Sequence, residues 1–286
     1  DSPSVYLQLN ETGGTALADS SGHAGGPHDG SVVGTPIYAQ TGPFGASGDA
    51  GLAIEGEAYI EIPDGDRVDA ARGISFSFWM NVDSFTNTWM PLVFKGTGNS
   101  NQRSYALWLR NNGRLSFGSS DSSGLQGYET SSGVIGTGAW YHVAGVVDRD
   151  SGVIKLWVNG VERMSGGLRT NDIRGNDNPL RLGHTFEGSS SFSKFDGTLD
   201  EFALWPEAVN SNQLLQPYFD SQWLGGERAT DQLLSTFGVT VSERLNSSSV
   251  NYQGTLFNTF GGHTYVVSNT NRTLAATTAY AESLGG

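Results

Sequence analysis

The feature that most constrains the fold is a period-two alternation of residues, which recurs in short segments along the chain. Every second residue from Ile74 to Val82 is apolar, so these side chains share one face of an extended segment. The opposite face carries Ser75, Ser77, Trp79 and Asn81. This alternation predicts a β-strand that packs one face against a core.

Two hairpins are predicted by alternating segments that are joined by turn residues. Residues 105–110 and 114–117 are connected by Asn111-Asn112-Gly113, and residues 140–147 and 153–158 by the turn at 148–152. Further strands are predicted at 59–62 and 198–205. Glycine supplies 40 of 286 residues, as turns between many short strands require. The pattern predicts an all-β fold, an antiparallel β-sandwich or jelly roll.

Helix signals occur only towards the end of the chain. Asn210 is placed to cap a short helix that contains Leu214 and Leu215. Thr273 is placed to cap a second helix, in which apolar residues recur at helical spacing up to Leu284. We therefore predict a jelly-roll domain at 1–218, a linker or irregular segment at 219–260, and a short α/β extension at 261–286.

Composition excludes several classes of protein. The chain has no cysteine, which excludes disulfides, thiolate metal sites and a cysteine nucleophile. It carries 16 Lys and Arg against 29 Asp and Glu, a formal net charge of −13. Nucleic-acid binding is not expected, because it needs clustered cations. No apolar run approaches the roughly 18–20 residues that span a bilayer, so no membrane insertion is expected. An acidic, cysteine-free composition favours a secreted or cell-surface bacterial protein that gains order from Ca2+.

Six short motifs occur in an order typical of one family. They are residues 19–23 (DSSGH), 56–62 (GEAYIEI), 74–79 (ISFSFW), 140–143 (WYHV), 154–160 (IKLWVNG) and 195–202 (FDGTLDEF). In this order they resemble the successive motifs of laminin-G-like (LamG-like), concanavalin-A-like jelly rolls over about residues 5–215. The resemblance implies the same fold class as the strand pattern.

The C-terminal segment has a resemblance of its own. Residues 262–267 (GHTYVV) and 273–286 resemble the first strand and first helix of a C-type-lectin-like domain. Such a domain needs roughly 100 more residues, so we expect the chain to end inside it. A lectin-like segment beside a jelly roll is similar to the ligand-binding regions of bacterial RTX adhesins.

The best candidate for a metal site combines Asp19 with Asp200. The turn at Asp19 can bring a carboxylate and main-chain carbonyls together, and Ca2+ takes six to eight oxygen ligands. In the laminin-G-like jelly rolls that this chain resembles, such a turn and the Asp of the Leu-Asp-Glu strand hold a structural Ca2+. The resemblance thus implies side-chain ligands from Asp19 and Asp200 and a backbone carbonyl from His23. The alternative is that Asp19 bonds its own turn and Asp200 is a solvated strand carboxylate.

Carbohydrate recognition in such modules normally uses aromatic rings that stack on sugars, together with polar side chains that bind hydroxyl groups. Candidates should lie on loops, and we predict Trp89, Tyr128 and Phe186 as aromatic ligand contacts. Asn99, Asn101 and Arg103 are the polar candidates. Each aromatic residue could instead anchor its loop on the edge of the sandwich. The remaining strand tryptophans are expected to pack on sheet faces or in the core, namely Trp79, Trp108, Trp140, Trp157 and Trp205.

Catalytic motifs are not found in the sequence. Glu55, Glu57 and Glu61 are predicted to line one solvated strand face, and the Glu-x-Asp-x-x-Glu pattern of glucanases is missing. Nucleophile elbows, zinc-binding helices and phosphate loops are also missing. His23 and His28 are the only histidines near each other in sequence. We therefore expect a protein that is not an enzyme.

These observations and resemblances together predict a calcium-dependent module of an extracellular bacterial adhesin. Its partner would be a glycan or another cell-surface ligand. Two alternatives remain open at this stage: a module, catalytic or not, of a secreted polysaccharide lyase or hydrolase, and a structural spacer domain.

Overall fold

A computed structural model describes residues 2–44, 49–224, 249–250, 256–260, 263–267 and 272–273, with side chains described as far as Tyr218. The chain divides into two compact units, residues 1–214 and 215–286. The first unit is a β-sandwich, which confirms the predicted fold class. Its strands are β1 (Val5–Leu7), β2 (Ala16–Leu17), β3 (Gly30–Val33), β4 (Ile37–Thr41), β5 (Ala50–Ile54), β6 (Tyr59–Ile62), β7 (Gly73–Val82), β8 (Trp89–Gly96), β9 (Arg103–Arg110), β10 (Leu115–Asp121), β11 (Gly124–Glu129), β12 (Trp140–Asp148), β13 (Val153–Val158), β14 (Val161–Gly167), β15 (Leu180–Leu182) and β16 (Gly197–Trp205).

The sandwich consists of two antiparallel sheets of eight strands each. The first sheet has the order β14-β13-β12-β7-β16-β5-β4, and β1 also pairs with β16. The second sheet has the order β11-β10-β9-β8-β15-β6-β3-β2. Both predicted hairpins are confirmed, as β9–β10 and β12–β13. Strand neighbours that are distant in sequence, such as β7–β16 and β6–β15, give the jelly-roll connectivity.

The hydrophobic core lies between the two sheets. The predicted inward face of β7, from Ile74 to Val82, is buried there. The rings of Phe76 in the first sheet and Phe117 in the second meet edge to face, with centroids 5.2 Å apart. Gly145 of β12 lies against this pair, since a Cβ at this position would be 2.6 Å from the Phe76 ring. These two rings therefore fill the space between the sheets at this point and leave no room for a side chain at residue 145.

Tryptophan packs mainly on the outer faces of the sheets. Trp79, Trp108, Trp157 and Trp205 are buried, yet none belongs to the inter-sheet core cluster. Each follows or precedes a core residue in its strand, so its side chain points to the opposite face. This agrees with the prediction of sheet-face packing for these four residues, and Trp140 is partly buried.

Three predicted placements are wrong. Trp89 is the first residue of β8 and Tyr128 lies in β11, so neither belongs to a loop. β8 is buried on both faces and β11 is a polar edge strand, and neither has the alternation that marks a half-buried strand. Glu55 and Glu57 precede β6 in a turn, and only Glu61 lies in the strand. The expected row of three glutamates on one strand face therefore does not form.

A helix follows the last strand of the sandwich. α1 (Ser211–Leu224) begins at the predicted place, where the Gln213 amide donates to Asn210 Oδ1 at 3.0 Å. The helix crosses the predicted boundary between residues 218 and 219, and the division into three segments stays a prediction.

Four short strands are described in the second unit. β17 (Ser249–Val250) pairs with β20 (Arg272–Thr273), and β18 (Leu256–Phe260) pairs with β19 (His263–Val267). The predicted strand at 262–267 coincides with β19. The helix predicted after Thr273 lies outside the described residues.

A buried lysine ties together two loops of the sandwich. Lys95 of β8 is fully buried, and its ammonium contacts the carboxylates of Asp64 and Asp69, the latter at 3.1 Å. It also donates to the carbonyl oxygens of Asn176 at 3.0 Å and Asn178 at 2.6 Å. The charge of Lys95 is thus surrounded by four oxygen groups, as a buried charge requires.

Candidate functional site

The outer face of the second sheet carries a cluster of aromatic side chains. Trp108 of β9 lies 5.8 Å from Phe94 and 6.2 Å from Trp89, both of β8, between ring centroids. Phe186 and Phe192 come from the loop after β15, which crosses this face, and Phe192 lies 4.9 Å from Trp108. Main-chain hydrogen bonds from the loop to both the amide and the carbonyl of Trp89 fix the loop to the start of β8.

Three arginines lie over these rings. Arg103 lies over Trp108 at 4.9 Å, Arg110 over Trp89 at 4.3 Å and Arg181 over Phe186 at 3.5 Å. Arg103 forms an ion pair with Glu187, Arg110 with Glu129 and Arg181 with Glu61. We call these six stacked residues the arginine–aromatic surface. Because a guanidinium occupies one face of each ring, that face is not open for stacking on a sugar.

A cleft of about 370 Å³ opens between the loop after β15 and the turn before β6. Its wall contains one aromatic ring, that of Phe192, and otherwise mainly small and hydrogen-bonding residues. The charged and polar side chains in the wall are those of Glu57, His184, Thr185, Glu187, Ser189, Ser193 and Lys194. A concave volume with convergent donors and acceptors can hold a small polar ligand, although small-ligand sites usually have a more apolar wall.

His184 is held in the wall of the cleft by two neighbouring side chains. Its ring stacks on Tyr59 with centroids 4.5 Å apart, and its Nδ1 lies 3.2 Å from Nη1 of Arg181. Burial, and then the positive charge of Arg181, lower the pKa of His184 below its usual value. His184 is therefore a neutral imidazole at pH 7.

Three of the six predicted ligand contacts come together here. Trp89, Arg103 and Phe186 all belong to the arginine–aromatic surface. Arg103 binds Glu187 through two hydrogen bonds, of 2.6 and 2.7 Å, and so fixes one wall of the cleft.

The other three predicted contacts lie elsewhere. Asn99 caps a short 3-10 turn (Ser100–Gln102) by accepting from the Asn101 amide at 3.0 Å. Tyr128 reaches from β11 to the edge strand of the first sheet, where its hydroxyl donates to Gly167 at 2.6 Å. These contacts hold turns and sheet edges together.

The residues that form the cleft itself were not predicted from the sequence. His184 and Glu187 flank the predicted Phe186, and Arg181 precedes it in β15. The signal was the motif GHTFE at 183–187, whose polar members could have been considered together with its aromatic residue. Tyr59, however, reaches His184 only because β6 pairs with β15.

Asp19 accepts four hydrogen bonds, from its own turn, from β1 and from His28. Its Oδ1 accepts from the amides of Tyr6 and Ser21, both at 2.9 Å. Its Oδ2 accepts from the His28 amide at 2.8 Å and from the Ser21 hydroxyl at 3.0 Å. Although burial opposes it, these bonds hold the pKa of Asp19 below its usual value. The carbonyl of His23, the third predicted ligand, accepts from the Gly26 amide at 3.0 Å.

Asp200 has a very different environment. β16 pairs with β5 through Leu199 and with β1 from Phe202 onwards, so Asp200 and Glu201 fall in the gap between these two partners. Glu201 has a φ of +54°, as expected at such a bulge. Asp200 is fully buried, and its Oδ2 has no hydrogen-bond partner in the described part of the chain. The alternative of a solvated strand carboxylate is therefore wrong.

The residues fit a cation only in part. Burial, and then the carboxylates of Glu201 and Asp49, raise the pKa of Asp200 to about 9. A buried carboxylate beside two other carboxylates, with an unpaired oxygen, is a position where a cation would be favourable. Asp19 is already saturated, and no hydrogen bond or ion pair within the described ranges joins it to Asp200. Those ranges also contain no group of three or more His, Asp or Glu side chains arranged to hold a metal.

The fold and cleft define a jelly-roll module of the concanavalin-A-like type. A family model described as Laminin_G_3, concanavalin A-like lectin/glucanases superfamily, matches residues 55–214. The chain therefore belongs to this family. A search of curated proteins found no match.

Solved structures with the same fold include carbohydrate complexes. Domain 4 of AbnA, a GH43 extracellular arabinanase from Geobacillus stearothermophilus solved with arabinotriose, is 24% identical with a TM-score of 0.55, over 75% of this chain and 97% of that chain. Botulinum neurotoxin type C, described as entering cells through two ganglioside molecules, is 15% identical with a TM-score of 0.58, over 78% of this chain. The binding domain of botulinum neurotoxin DC in complex with SialylT is 14% identical with a TM-score of 0.56, also over 78%.

The alignment spans about half of both neurotoxin chains, 52% in each. At these identities the similarities show the fold. No helix in the described ranges has the length and apolar character needed to cross a bilayer.

Proposed function

We propose that the protein is a non-catalytic carbohydrate-binding module and that the cleft formed by the loop after β15 is its ligand site. The observation that carries this proposal is the cleft itself, with a volume of about 370 Å³. That volume lies within the range of roughly 300–1,000 Å³ that is typical of small-ligand sites. The imidazole, hydroxyl and carboxylate groups in its wall match the hydroxyl-rich surface of an oligosaccharide.

The solved structures with this fold support the proposal. Domain 4 of AbnA was solved with arabinotriose, and the neurotoxin domains are described with gangliosides or SialylT. A shared fold does not determine where or what a protein binds, so the site in this chain needs its own test.

Binding to an oligosaccharide panel that contains arabinotriose and sialyllactose tests this function. Ser189→Trp places a large ring in the cleft at an exposed position and should abolish binding. Ser131→Trp makes the same change at an exposed serine outside the cleft and should leave binding intact. Equal binding by both variants would show that the ligand site lies outside the cleft. If the protein bound no oligosaccharide of the panel, the proposed function would be refuted.

The same module can serve in two kinds of extracellular protein. The adhesin role is supported by the acidic composition and by the resemblance of residues 262–286 to a C-type-lectin-like segment. A module of a secreted polysaccharide-degrading enzyme is favoured by one observation, the alignment with 97% of domain 4 of an extracellular arabinanase. Binding to intact bacterial or host cells supports the first role. Binding to insoluble arabinan alone supports the second, and release of soluble sugar by the chain would refute the absence of catalysis.

We also propose that Asp200 binds a Ca2+ ion that stabilises the sandwich. The support is its buried, unpaired Oδ2 in the gap between β5 and β1, with Glu201 and Asp49 as neighbouring carboxylates. A divalent cation there would compensate the charge that burial otherwise makes unfavourable.

Thermal unfolding with Ca2+ and with a chelator tests the calcium proposal. The wild-type chain should gain stability with Ca2+, because an ion that binds only the folded state stabilises it. Asp200→Asn keeps the shape of the side chain but cannot ionise to bind a cation, and it should abolish this gain. A wild-type melting temperature that does not respond to Ca2+ would refute the proposal.

A further inference from the structure

The charged side chains around the cleft are already paired with one another. Lys194 contacts Glu57, and Arg103 binds Glu187 with both partners largely shielded, at 15% and 6% side-chain exposure. Behind the wall, Arg181 binds Glu61 at 2.9 Å. An anionic sugar would need a cation, and each cation here would first have to leave a carboxylate. The charge arrangement therefore favours an uncharged ligand.

Arg181 determines which nitrogen of His184 carries the hydrogen. Nη1 of Arg181 lies 3.2 Å from Nδ1 of His184, and a guanidinium nitrogen can only donate. Nδ1 must therefore be the acceptor, which places the hydrogen of the neutral ring on Nε2. His184 lies in the wall of the cleft, and its ring is also within hydrogen-bonding reach of the Thr185 main chain.

The surrounding contacts hold this arrangement rigid. The guanidinium of Arg181 lies between two rings, 3.5 Å from the centroid of Phe186 and 4.9 Å from that of Tyr59. Tyr59 in turn stacks on the His184 ring, with an interplanar angle of 29°. A donor that is oriented before the ligand arrives costs less ordering entropy when the ligand binds.

We propose that the cleft selects uncharged oligosaccharides and that His184, held as the Nε2–H tautomer by Arg181, donates a hydrogen bond to an oxygen of the ligand. This inference rests on the carbohydrate-binding function proposed above, which it makes more specific. His184 is thus a specificity-determining residue of the cleft.

Binding of arabinotriose and of sialyllactose to the full chain tests the selectivity. Arabinotriose should bind at least ten-fold more tightly than sialyllactose. Tighter binding of sialyllactose would overturn this inference and leave the carbohydrate-binding function standing. If neither this pair nor the wider panel binds, both proposals fail.

Substitutions of His184 test the donor role. His184→Ala should weaken binding of arabinotriose at least ten-fold, while His184→Gln keeps an N–H donor and should retain part of the affinity. His28→Gln changes a histidine whose Nε2 contacts the Pro63 carbonyl, away from the cleft, and should bind like the wild type. Unchanged binding by His184→Ala would overturn the donor role.

The tautomer can be measured without any ligand. Nitrogen chemical shifts of the His184 ring at pH 7 should show hydrogen on Nε2 and none on Nδ1. An Nδ1–H tautomer or a charged ring at this pH would overturn the inference, whatever the binding data show.

Discussion

At the scale of single residues, burial keeps His142 uncharged over most of the pH range. This residue lies in β12, is 1% exposed and contacts the Trp79 ring at 5.2 Å between centroids. Burial lowers its pKa from 6.5 to about 3. Below pH 6.5 the unfolded chain binds a proton that the folded chain does not bind, so folding becomes less favourable as the pH falls from 6.5 towards 3.

We expect His142→Gln to reduce the acid sensitivity of the fold. For each unit that the pH falls within that window, His142 lowers the free energy of unfolding of the wild-type chain by up to about 1.4 kcal/mol. Between pH 7 and pH 5 the wild type should therefore lose about 2 kcal/mol more of its free energy of unfolding than His142→Gln does. Urea unfolding at both pH values measures this difference. Parallel losses in the two proteins would show that His142 is protonated in the folded state.

Asp19 should stabilise the fold whether or not calcium is present. Asp19→Ala removes four hydrogen bonds to a carboxylate, three of them from main-chain amides. A loss of about 2 kcal/mol in the free energy of unfolding is expected, because the freed donors are only partly rehydrated. The loss should be equal with Ca2+ and with a chelator, as measured by chemical denaturation.

A matched control for this variant is Asp66→Ala. Asp66 is exposed and makes no hydrogen bond or ion pair with the described residues. Its substitution should change the free energy of unfolding by less than about 0.5 kcal/mol. If Asp19→Ala lost stability only in the presence of Ca2+, Asp19 would be a metal ligand after all.

The same scale shows what could not be read from the sequence. Asp19 and Asp200 were both found from their motifs, but their environments differ because of strand pairing: one carboxylate is saturated and the other is buried without a partner for Oδ2. His184 was not found, because a lone histidine in a loop gains its role only through Arg181 and Tyr59. Contacts between distant segments decide such roles.

At the scale of elements, the long central strands were predictable and the short peripheral strands were not. β7 and β12 run for ten and nine residues and bury one face in the core, so their patterns are explicit. β2 has only two residues, and β8 is an apolar run that is covered on both faces. The period-two signal requires one solvated or polar face, and these strands lack either the length or that face.

The packing of β12 against the second sheet gives an element-scale prediction. Gly145→Ala adds a Cβ that would lie 2.6 Å from the Phe76 ring and 3.0 Å from the Phe117 ring. We expect a loss of about 1–3 kcal/mol in the free energy of unfolding, because the two sheets would have to move apart. Thermal or chemical unfolding measures this loss.

Gly167→Ala is the matched control for Gly145→Ala. Gly167 ends the edge strand β14, and an added Cβ there would meet no atom within 4 Å. The free energy of unfolding of Gly167→Ala should stay within about 0.5 kcal/mol of the wild-type value. If the two alanine variants were equally stable, the close sheet-to-sheet contact at Gly145 would be refuted.

At the scale of the whole molecule, the main hydrophobic core found among the described side chains lies in the first unit. Its cluster of buried residues runs from Val5 to Leu204 in sequence. We therefore expect a fragment of residues 1–224, which ends with α1, to unfold in one cooperative transition near that of the full chain. Differential scanning calorimetry of both proteins checks this. A fragment without a cooperative transition would show that the predicted jelly-roll domain depends on the residues that follow.

The four oxygen groups around Lys95 affect the ionic conditions in which such a module can remain folded. Two carboxylates and two main-chain carbonyls are the kind of ligands that a calcium ion would recruit, but here the positive charge is part of the polypeptide. Dialysis against a chelator can remove an ion, but it cannot remove a side chain. The loops around Lys95 therefore keep their structure in ion-poor surroundings, even where the proposed ion at Asp200 would be lost.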